Sequence, residues 1–103
     1  MNINEYISNN RIGYKNTMVR QVQCADGFKM SVQASSFHYC YPRTNEATHY
    51  DTVEIGYPSA KEELIMDYAE EPTTPCGTVY AQVPVEVVNA VIAKHGGFAS
   101  DEG

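Results

Sequence analysis

The feature that most constrains the fold is a pair of alternating segments, 17–24 and 28–34, on either side of an Ala-Asp-Gly sequence. A three-residue turn closed by Gly27 in the left-handed region would pair Val22 with Met30 and give the hairpin one apolar face. A two-residue turn would shift the register and mix apolar with polar side chains on each face. The sequence therefore predicts an antiparallel β-hairpin with a three-residue turn and one buried face.

Two further strands and two helices are predicted after the hairpin. The strands are predicted at 49–57 and 78–83, where apolar residues alternate with other residues. A helix is predicted over 59–70, because its first four residues form a capping-box pattern, and another over 84–95, where valines recur at helical spacing. This order predicts an α+β fold, an antiparallel β-sheet of about four strands with two helices packed on one face as a two-layer sandwich.

The chain is predicted to form a single domain, because 103 residues are enough for one hydrophobic core. We place this α+β domain at 17–97, with a flexible tail at 98–103. Residues 1–16 are predicted to form an N-terminal arm or short helix, which either supports oligomerisation or covers the sheet edge. No apolar run approaches the roughly 20 residues that span a bilayer, and the first residues lack a signal-peptide pattern. We therefore expect a cytoplasmic protein with no membrane partner.

The net charge of −6 comes from the second part of the chain. Residues 1–58 carry five lysines and arginines against five acids, whereas residues 59–103 carry two against eight. Direct nucleic-acid binding is not expected, because it needs a basic track. The acidic part instead suits docking onto a basic surface of a protein partner.

Four of these acids lie on the predicted helix at 59–70 or directly after it: Glu63, Asp67, Glu70 and Glu71. Spacings of three and four residues would place them on one side of an α-helix. They form the candidate acidic partner-binding face, a row of charges that could imitate a row of phosphates. The alternative interpretation is an ordinary solvated helix face.

A second candidate binding site lies at the end of the predicted hairpin and consists of His38, Tyr39, Tyr41 and Arg43. The alternation of apolar residues changes parity near Ser35, which predicts a bulge or bend in a strand that continues to Tyr41. The bend would present the two tyrosines and the arginine at the sheet rim. The rings could stack a base while Arg43 holds a phosphate. The alternative is that the rings belong to the core, with their hydroxyls at the rim.

Arg20 is the one charged residue on the apolar face of the predicted hairpin. One interpretation is that its apolar stem lies along the sheet and its guanidinium reaches water at the edge. The other is that Arg20 assists Arg43 in binding an anion, so we include it among the candidate ligand- or partner-binding residues.

Neither a metal site nor an enzyme active site is expected. His38 and Cys40 form one close pair, whereas structural zinc sites usually present two. Side chains two residues apart on a strand are separated by roughly 6–7 Å, too far for His38 to activate Cys40 directly. Cys24, Cys40 and Cys76 are an odd number at wide spacings, which favours reduced thiols over disulfides. We therefore expect a non-enzymatic protein without a cofactor.

Several short strings over residues 18–97 together resemble a small family of proteins encoded in phages and prophages. The strings are Ser31-Val-Gln-Ala-Ser35, His38-Tyr-Cys40 with Pro42-Arg43, Val53-Glu-Ile-Gly-Tyr-Pro-Ser59, Tyr68-Ala-Glu70, Thr78-Val-Tyr80 with Val83-Pro84, and His95-Gly-Gly97. Small acidic phage proteins are similar in size and charge to inhibitors of bacterial defences. These inhibitors include anti-CRISPR proteins and sponges that sequester cyclic nucleotide signals.

The resemblance implies three hypotheses about function in the cytoplasm of an infected host cell. The first is an anti-CRISPR-like protein that binds and inhibits a bacterial immune effector, using its acidic part against a basic groove. The second is a homo-oligomeric sponge that buries a cyclic nucleotide immune signal among Tyr39, Tyr41 and Arg43. The third is a structural or regulatory phage protein without a role against defence.

Overall fold

The α+β fold predicted from the sequence is confirmed by the structure, a computed structural model that describes residues 1–99. The main elements are α1 (Ile3–Asn9), β1 (Arg11–Ile12), β2 (Met18–Val19), β3 (Val22–Gln23), β4 (Lys29–Gln33), β5 (Thr52–Gly56), β6 (Val79–Pro84) and α2 (Val85–Lys94). Within the described part of the chain, 3-10 helices lie at Tyr14–Asn16 and Glu63–Tyr68. Strands β3 to β6 form an antiparallel four-stranded sheet in sequence order, and β1 pairs with β2 in a separate ribbon.

The hairpin register predicted from the sequence is confirmed. Val22 pairs with Met30, and the N–H of Cys24 donates to the carbonyl of Phe28 at 2.8 Å. Gly27 closes the turn at a φ of 96°, a left-handed conformation that residues with a Cβ rarely adopt. The hairpin is shorter than predicted, because β2 pairs with β1 instead of extending the β3 ladder.

Where β2 lies beside β4, the buried side chain of Gln33 takes the place of backbone hydrogen bonds between the two strands. Gln33 Oε1 accepts from the N–H of Val19 at 2.9 Å, and Gln33 Nε2 donates to the Val19 carbonyl at 2.9 Å. The amide therefore satisfies both backbone groups that a partner strand would bind. Because the Gln33 side chain is buried, this contact joins the two-stranded ribbon to the main sheet without exposing polar backbone.

Short segments pair with both edge strands of the four-stranded sheet. Phe98 forms a bridge with Cys24, directly after β3, and the N–H of Ala99 donates to the carbonyl of Gln23 in β3 at 2.9 Å. At β6, Ala69 forms a bridge with Tyr80. Phe98 and Ala99 are thus paired with the sheet, although they belong to the predicted tail, whose last four residues lie outside the described range.

The N-terminal segment contributes a helix to the core. The N–H of Glu5 donates to Asn2 Oδ1 at 2.9 Å, and the Glu5 carboxylate accepts from the N–H of Asn2, so a capping box begins α1. The buried side chain of Ile3 packs in the same core as α2 and the sheet. Its N–H donates to Asn89 Oδ1 at 2.8 Å, which ties α1 to α2.

The helix predicted over 59–70 is wrong in type and extent. This segment contains only the 3-10 helix at Glu63–Tyr68. Ser59 does not cap it, because the Ser59 hydroxyl accepts from the N–H of Lys29 at 2.9 Å. Glu62 is buried, and its carboxylate caps the first turn. The second α-helix of the fold is therefore α1.

The strand predicted to continue to Tyr41 is also wrong, because β4 ends at Gln33. The hydroxyl of Ser35 accepts from the N–H of Phe37 at 3.0 Å, a local bond that favours a turn over an extended chain. The backbone pairs with the sheet again at Tyr41, which forms a bridge with Thr52. The bend predicted near Ser35 is present, but it begins a loop.

Gln33→Leu should destabilise the protein by about 2 kcal/mol or more, because it leaves the buried N–H and carbonyl of Val19 without partners. Gln23→Leu is the matched control, since Gln23 lies exposed on β3 and its change should cost less than about 0.5 kcal/mol. Urea unfolding of the two variants and the wild type measures the difference. Equal costs for the two substitutions would contradict the pairing of Gln33 with Val19.

Candidate functional site

The candidate site is the loop of residues 36–43, which we call the aromatic loop. Its inner side chains contact Ser35, which is fully buried. Ser35 Oγ lies 2.6 Å from His38 Nδ1, and Cys40 Sγ donates to the Ser35 carbonyl at 3.2 Å. His38 and Cys40 therefore turn toward the same residue, although the segment that carries them is not a strand.

Backbone hydrogen bonds hold the aromatic loop against β5 and β6. The N–H of Tyr39 donates to Glu54 Oε1 at 3.0 Å, and the carbonyl of Tyr39 accepts from the N–H of Gln82 at 3.1 Å. The N–H of Tyr41 donates to the carbonyl of Thr52 at 3.2 Å. With these bonds in place, the loop presents its remaining side chains in a defined arrangement.

Three aromatic rings of the loop are open to solvent. Phe37, Tyr39 and Tyr41 are 71%, 47% and 63% exposed. The guanidinium carbon of Arg43 lies 5.5 Å from the centre of the Tyr39 ring, a cation–π contact. The structure thus brings Tyr39 and Arg43 together and exposes Tyr41 on the same loop. Phe37, which the sequence analysis did not name as a site residue, is the most exposed of the three rings.

The backbone of Arg20 is hydrogen-bonded to the N-terminal segment. Its N–H donates to the Asn10 carbonyl at 3.0 Å, and its carbonyl accepts from the Tyr6 hydroxyl at 3.3 Å. Among residues 1–99, no hydrogen bond, ion pair or ring contact joins Arg20 to Arg43. Its side chain is exposed, and a role beside Arg43 in binding an anion stays a prediction.

Burial sets the protonation states of the two inward side chains of the loop. Desolvation is the main cause that lowers the pKa of His38. Desolvation also raises the pKa of the Cys40 thiol, and it outweighs the hydrogen bond to Ser35, which acts in the opposite direction. At neutral pH the loop therefore holds a neutral imidazole and a protonated thiol, which is not an activated nucleophile.

The predicted acidic partner-binding face is exposed, but its four acids do not form one row. A 3-10 helix has three residues per turn, so Glu63 and Asp67, four residues apart, point in different directions. Glu70 and Glu71 follow the helix, and Glu71 Oε2 accepts from the N–H of Thr73 at 3.3 Å. The prediction of a single ridge is wrong, because it assumed an α-helix; the negative charge is spread around the segment.

A charge cluster around the buried carboxylate of Glu62, which the sequence analysis missed, joins the end of α2 to the hairpin turn. His95 lies between two carboxylates, with Nε2 at 2.7 Å from Glu62 Oε1 and Nδ1 at 2.6 Å from Asp26 Oδ2. Lys94 Nζ donates to Glu62 Oε2 at 2.8 Å. The ring of Phe28 stacks on the imidazole, with 4.0 Å between the ring centres. No local spacing signals this cluster, because its members come from three distant segments.

The charge cluster is suited to holding the fold together. Ionised carboxylates only accept hydrogen bonds, so both ring nitrogens of His95 donate and the ring is charged. Desolvation lowers the pKa of His95, but the bonds to Glu62 and Asp26 outweigh it and raise that pKa overall. Desolvation raises the pKa of Glu62, and hydrogen bonds from Lys94, the Leu64 N–H and His95 more than reverse this. Both ring nitrogens are occupied, so His95 is not placed to act on a ligand.

The free energy of unfolding should depend on pH through this cluster. Because the pKa of folded His95 is raised above its ordinary value of 6.5, its contribution is complete below pH 6.5 and is lost as the pH rises through the raised value. The lowered pKa of Glu62 makes its contribution complete above its ordinary value of 4.5, with loss as the pH falls through the lowered value. Urea unfolding at a series of pH values should therefore show the highest free energy of unfolding between pH 4.5 and pH 6.5, where both contributions are complete.

His95→Gln should remove the loss of stability on the alkaline side of the maximum. His49→Gln is the control, because the His49 side chain is 64% exposed and lies outside the cluster, so this variant should keep the wild-type profile. A wild-type unfolding free energy that does not fall as the pH rises above 6.5 would contradict a charged His95 in the folded state.

Comparisons with known proteins add no family or function. No family model matches the chain, and neither does any curated protein or solved structure. Residues 1–99 contain no group of three or more His, Cys, Asp or Glu side chains that could hold a metal ion. The same residues include no helix with the length and apolar character needed to cross a membrane.

Proposed function

We propose that this protein is a non-enzymatic, phage-type binding protein that inhibits an effector of a bacterial immune system, as anti-CRISPR proteins do. The observation that carries the proposal is the exposure of Phe37, Tyr39 and Tyr41 on one loop, with Arg43 against Tyr39. Aromatic residues and arginine are enriched at protein interfaces, where a few such side chains supply most of the binding energy. The aromatic loop is the proposed contact surface.

The hydrogen bonds beneath the aromatic loop support this role. Tyr39 is bonded through its N–H to Glu54 and through its carbonyl to Gln82, so the backbone is fixed before a partner arrives. A loop that is already ordered loses less conformational entropy on binding than a flexible one. The exposed rings can therefore serve as rigid anchors for a partner protein.

The acidic residues of the C-terminal part are proposed to act at longer range. Exposed acids contribute little to a contact one by one, but together they attract a partner with a basic surface and speed its association. The spread of charge around the 3-10 helix suits this role better than a tight fit into one groove. Proteins that hold nucleic acid in basic channels, CRISPR nucleases among them, are the class of effector that fits.

The alternative proposal is an oligomeric sponge for a cyclic nucleotide. The contact between Arg43 and Tyr39 favours it, because an arginine beside a phenol ring can hold a phosphate while the ring stacks a base. In a single chain these rings are open to water, whereas nucleotide sites usually enclose most of the ligand. A sponge would therefore need a second copy over the aromatic loop, which an inhibitor would not.

Tyr39→Ala and Arg43→Ala should strongly weaken inhibition in a phage-plaquing assay. The wild-type protein, expressed in bacteria whose CRISPR system targets a phage, should restore plaques of that phage. Truncation of a central interface tyrosine weakens binding by about thirtyfold or more, so the variants should restore far fewer plaques. Tyr14→Ala is the matched control, since Tyr14 is 79% exposed but lies outside the aromatic loop.

Native mass spectrometry of the protein from the same cells separates the two proposals. A complex with an effector protein, lost in Tyr39→Ala but kept in Tyr14→Ala, is expected for the inhibitor. An oligomer that carries a cyclic nucleotide, and releases it on Arg43→Ala, would favour the sponge. An equal loss of plaques from Tyr14→Ala would contradict the assignment of the contact surface to the aromatic loop.

A further inference from the structure

A guanidinium without an acidic partner lies between α1 and the segment that precedes β5. Arg11 Nη1 donates to the Ala34 carbonyl at 2.6 Å. Arg11 Nη2 donates to the Asn45 carbonyl at 3.2 Å and to the Tyr50 hydroxyl at 2.9 Å. These three neutral acceptors fix the position of the group, yet among residues 1–99 no carboxylate oxygen lies within 4.0 Å of it.

The same guanidinium keeps donors for a ligand. An arginine has five N–H groups, and the three bonds above use only three of them. The Nε–H and one N–H of Nη1 have no hydrogen-bond partner in the described part of the chain. The guanidinium carbon also lies 5.8 Å from the centre of the Tyr50 ring, a cation–π contact. No anion among residues 1–99 compensates the charge, and a partly buried positive charge is usually compensated by one, which indicates an external anion.

Arg11 lines a polar cleft of about 450 Å³, a size typical of small-ligand sites. The other side chains that line the cleft are those of Ser8, Lys15, Asn16, Asn45 and Glu46. The lining therefore includes two cations, three neutral hydrogen-bonding side chains and one carboxylate. Lys15 Nζ lies 5.4 Å from the centre of the Tyr14 ring, a cation–π contact. A lining of this composition suits a small anion better than an apolar ligand.

The backbone that carries Lys15 is strained. Lys15 and Asn16 have φ values of 54° and 56°, in the left-handed region, which is uncommon for a side chain such as lysine. Such conformations cluster at ligand sites, where the surrounding structure maintains them. In this protein the strained pair lines the cleft that Arg11 also lines.

We propose that this cleft binds a phosphate group, either as free phosphate or as the monoester of a small nucleotide. Arg11 and Lys15 supply the charge, and the amides of Asn16 and Asn45 supply further hydrogen bonds, because phosphate oxygens are strong acceptors for such donors. Glu46 opposes binding by repulsion and so limits the affinity. The cleft adjoins the aromatic loop, because Asn45 Oδ1 accepts from the N–H of Ser36 at 2.8 Å, but the proposal does not depend on the function proposed for that loop.

An NMR titration of the full chain with inorganic phosphate, adenosine monophosphate and adenosine tests the proposal. Phosphate and the monophosphate should shift the Arg11 Nε–H and the side-chain amides of Asn16 and Asn45 in saturable curves, with a Kd of about 1 mM or tighter. Adenosine, which lacks the phosphate, should not. Tighter binding of the monophosphate than of phosphate would identify a nucleotide as the ligand, and equal binding would identify free phosphate.

Three variants complete the titration without disturbing the bonds that hold Arg11. Lys15→Gln should weaken phosphate binding by roughly tenfold, through loss of a charged hydrogen bond, and Glu46→Gln should strengthen it. Lys29→Gln is the control, because it removes the same charge from an exposed position on β4 outside the cleft. Linear shifts that do not saturate, or equal losses from Lys15→Gln and Lys29→Gln, would overturn the proposal.

Discussion

Glu62 is the group on which the arrangement of the helical layer depends. A carboxylate that is 1% exposed stays ionised only when it is paired and hydrogen-bonded, and Glu62 has three such partners: Lys94, His95 and the N–H of Leu64. Through His95 the network continues to Asp26 in the hairpin turn. One buried charge therefore fixes the end of α2, the 3-10 helix at Glu63–Tyr68 and the hairpin relative to one another. Removal of a single partner would leave part of that charge uncompensated.

The two faces of the four-stranded sheet have different structural roles. On β5, Val53 and Ile55 point into the core, while Glu54 lies between them on the opposite face and binds the N–H of Tyr39. The core side supplies stability, because it buries the apolar residues of the sheet with those of α1 and α2. The opposite side supplies a place to fasten the aromatic loop. The exposed rings are thus presented from a fixed backbone. A partner that binds them does not have to order a mobile segment, which would cost conformational entropy.

Features set by neighbours in sequence could be predicted, and features set by distant partners could not. The hairpin was predictable because Gly27 and the alternating strands beside it act locally. The absence of an α-helix over 59–70 was not predictable, because the Ser59 hydroxyl binds Lys29 and the Glu62 carboxylate caps a 3-10 helix while it binds Lys94 and His95. In the site, the contact of Tyr39 with Arg43 followed from their short separation. The position of the Arg11 guanidinium and its lack of an acidic partner could not be predicted, because the groups that bind it are distant from Arg11 in sequence.

Amide hydrogen exchange of the isolated protein tests the central claim most directly, namely that the aromatic loop is held in place while its rings face water. The amides of Phe37, Tyr39 and Tyr41 each donate to an acceptor in the folded protein. We therefore expect them to exchange at least about tenfold more slowly than the same amides in an unstructured peptide. Exchange of all three at the unstructured rate would show a mobile loop and would contradict a preformed interaction surface.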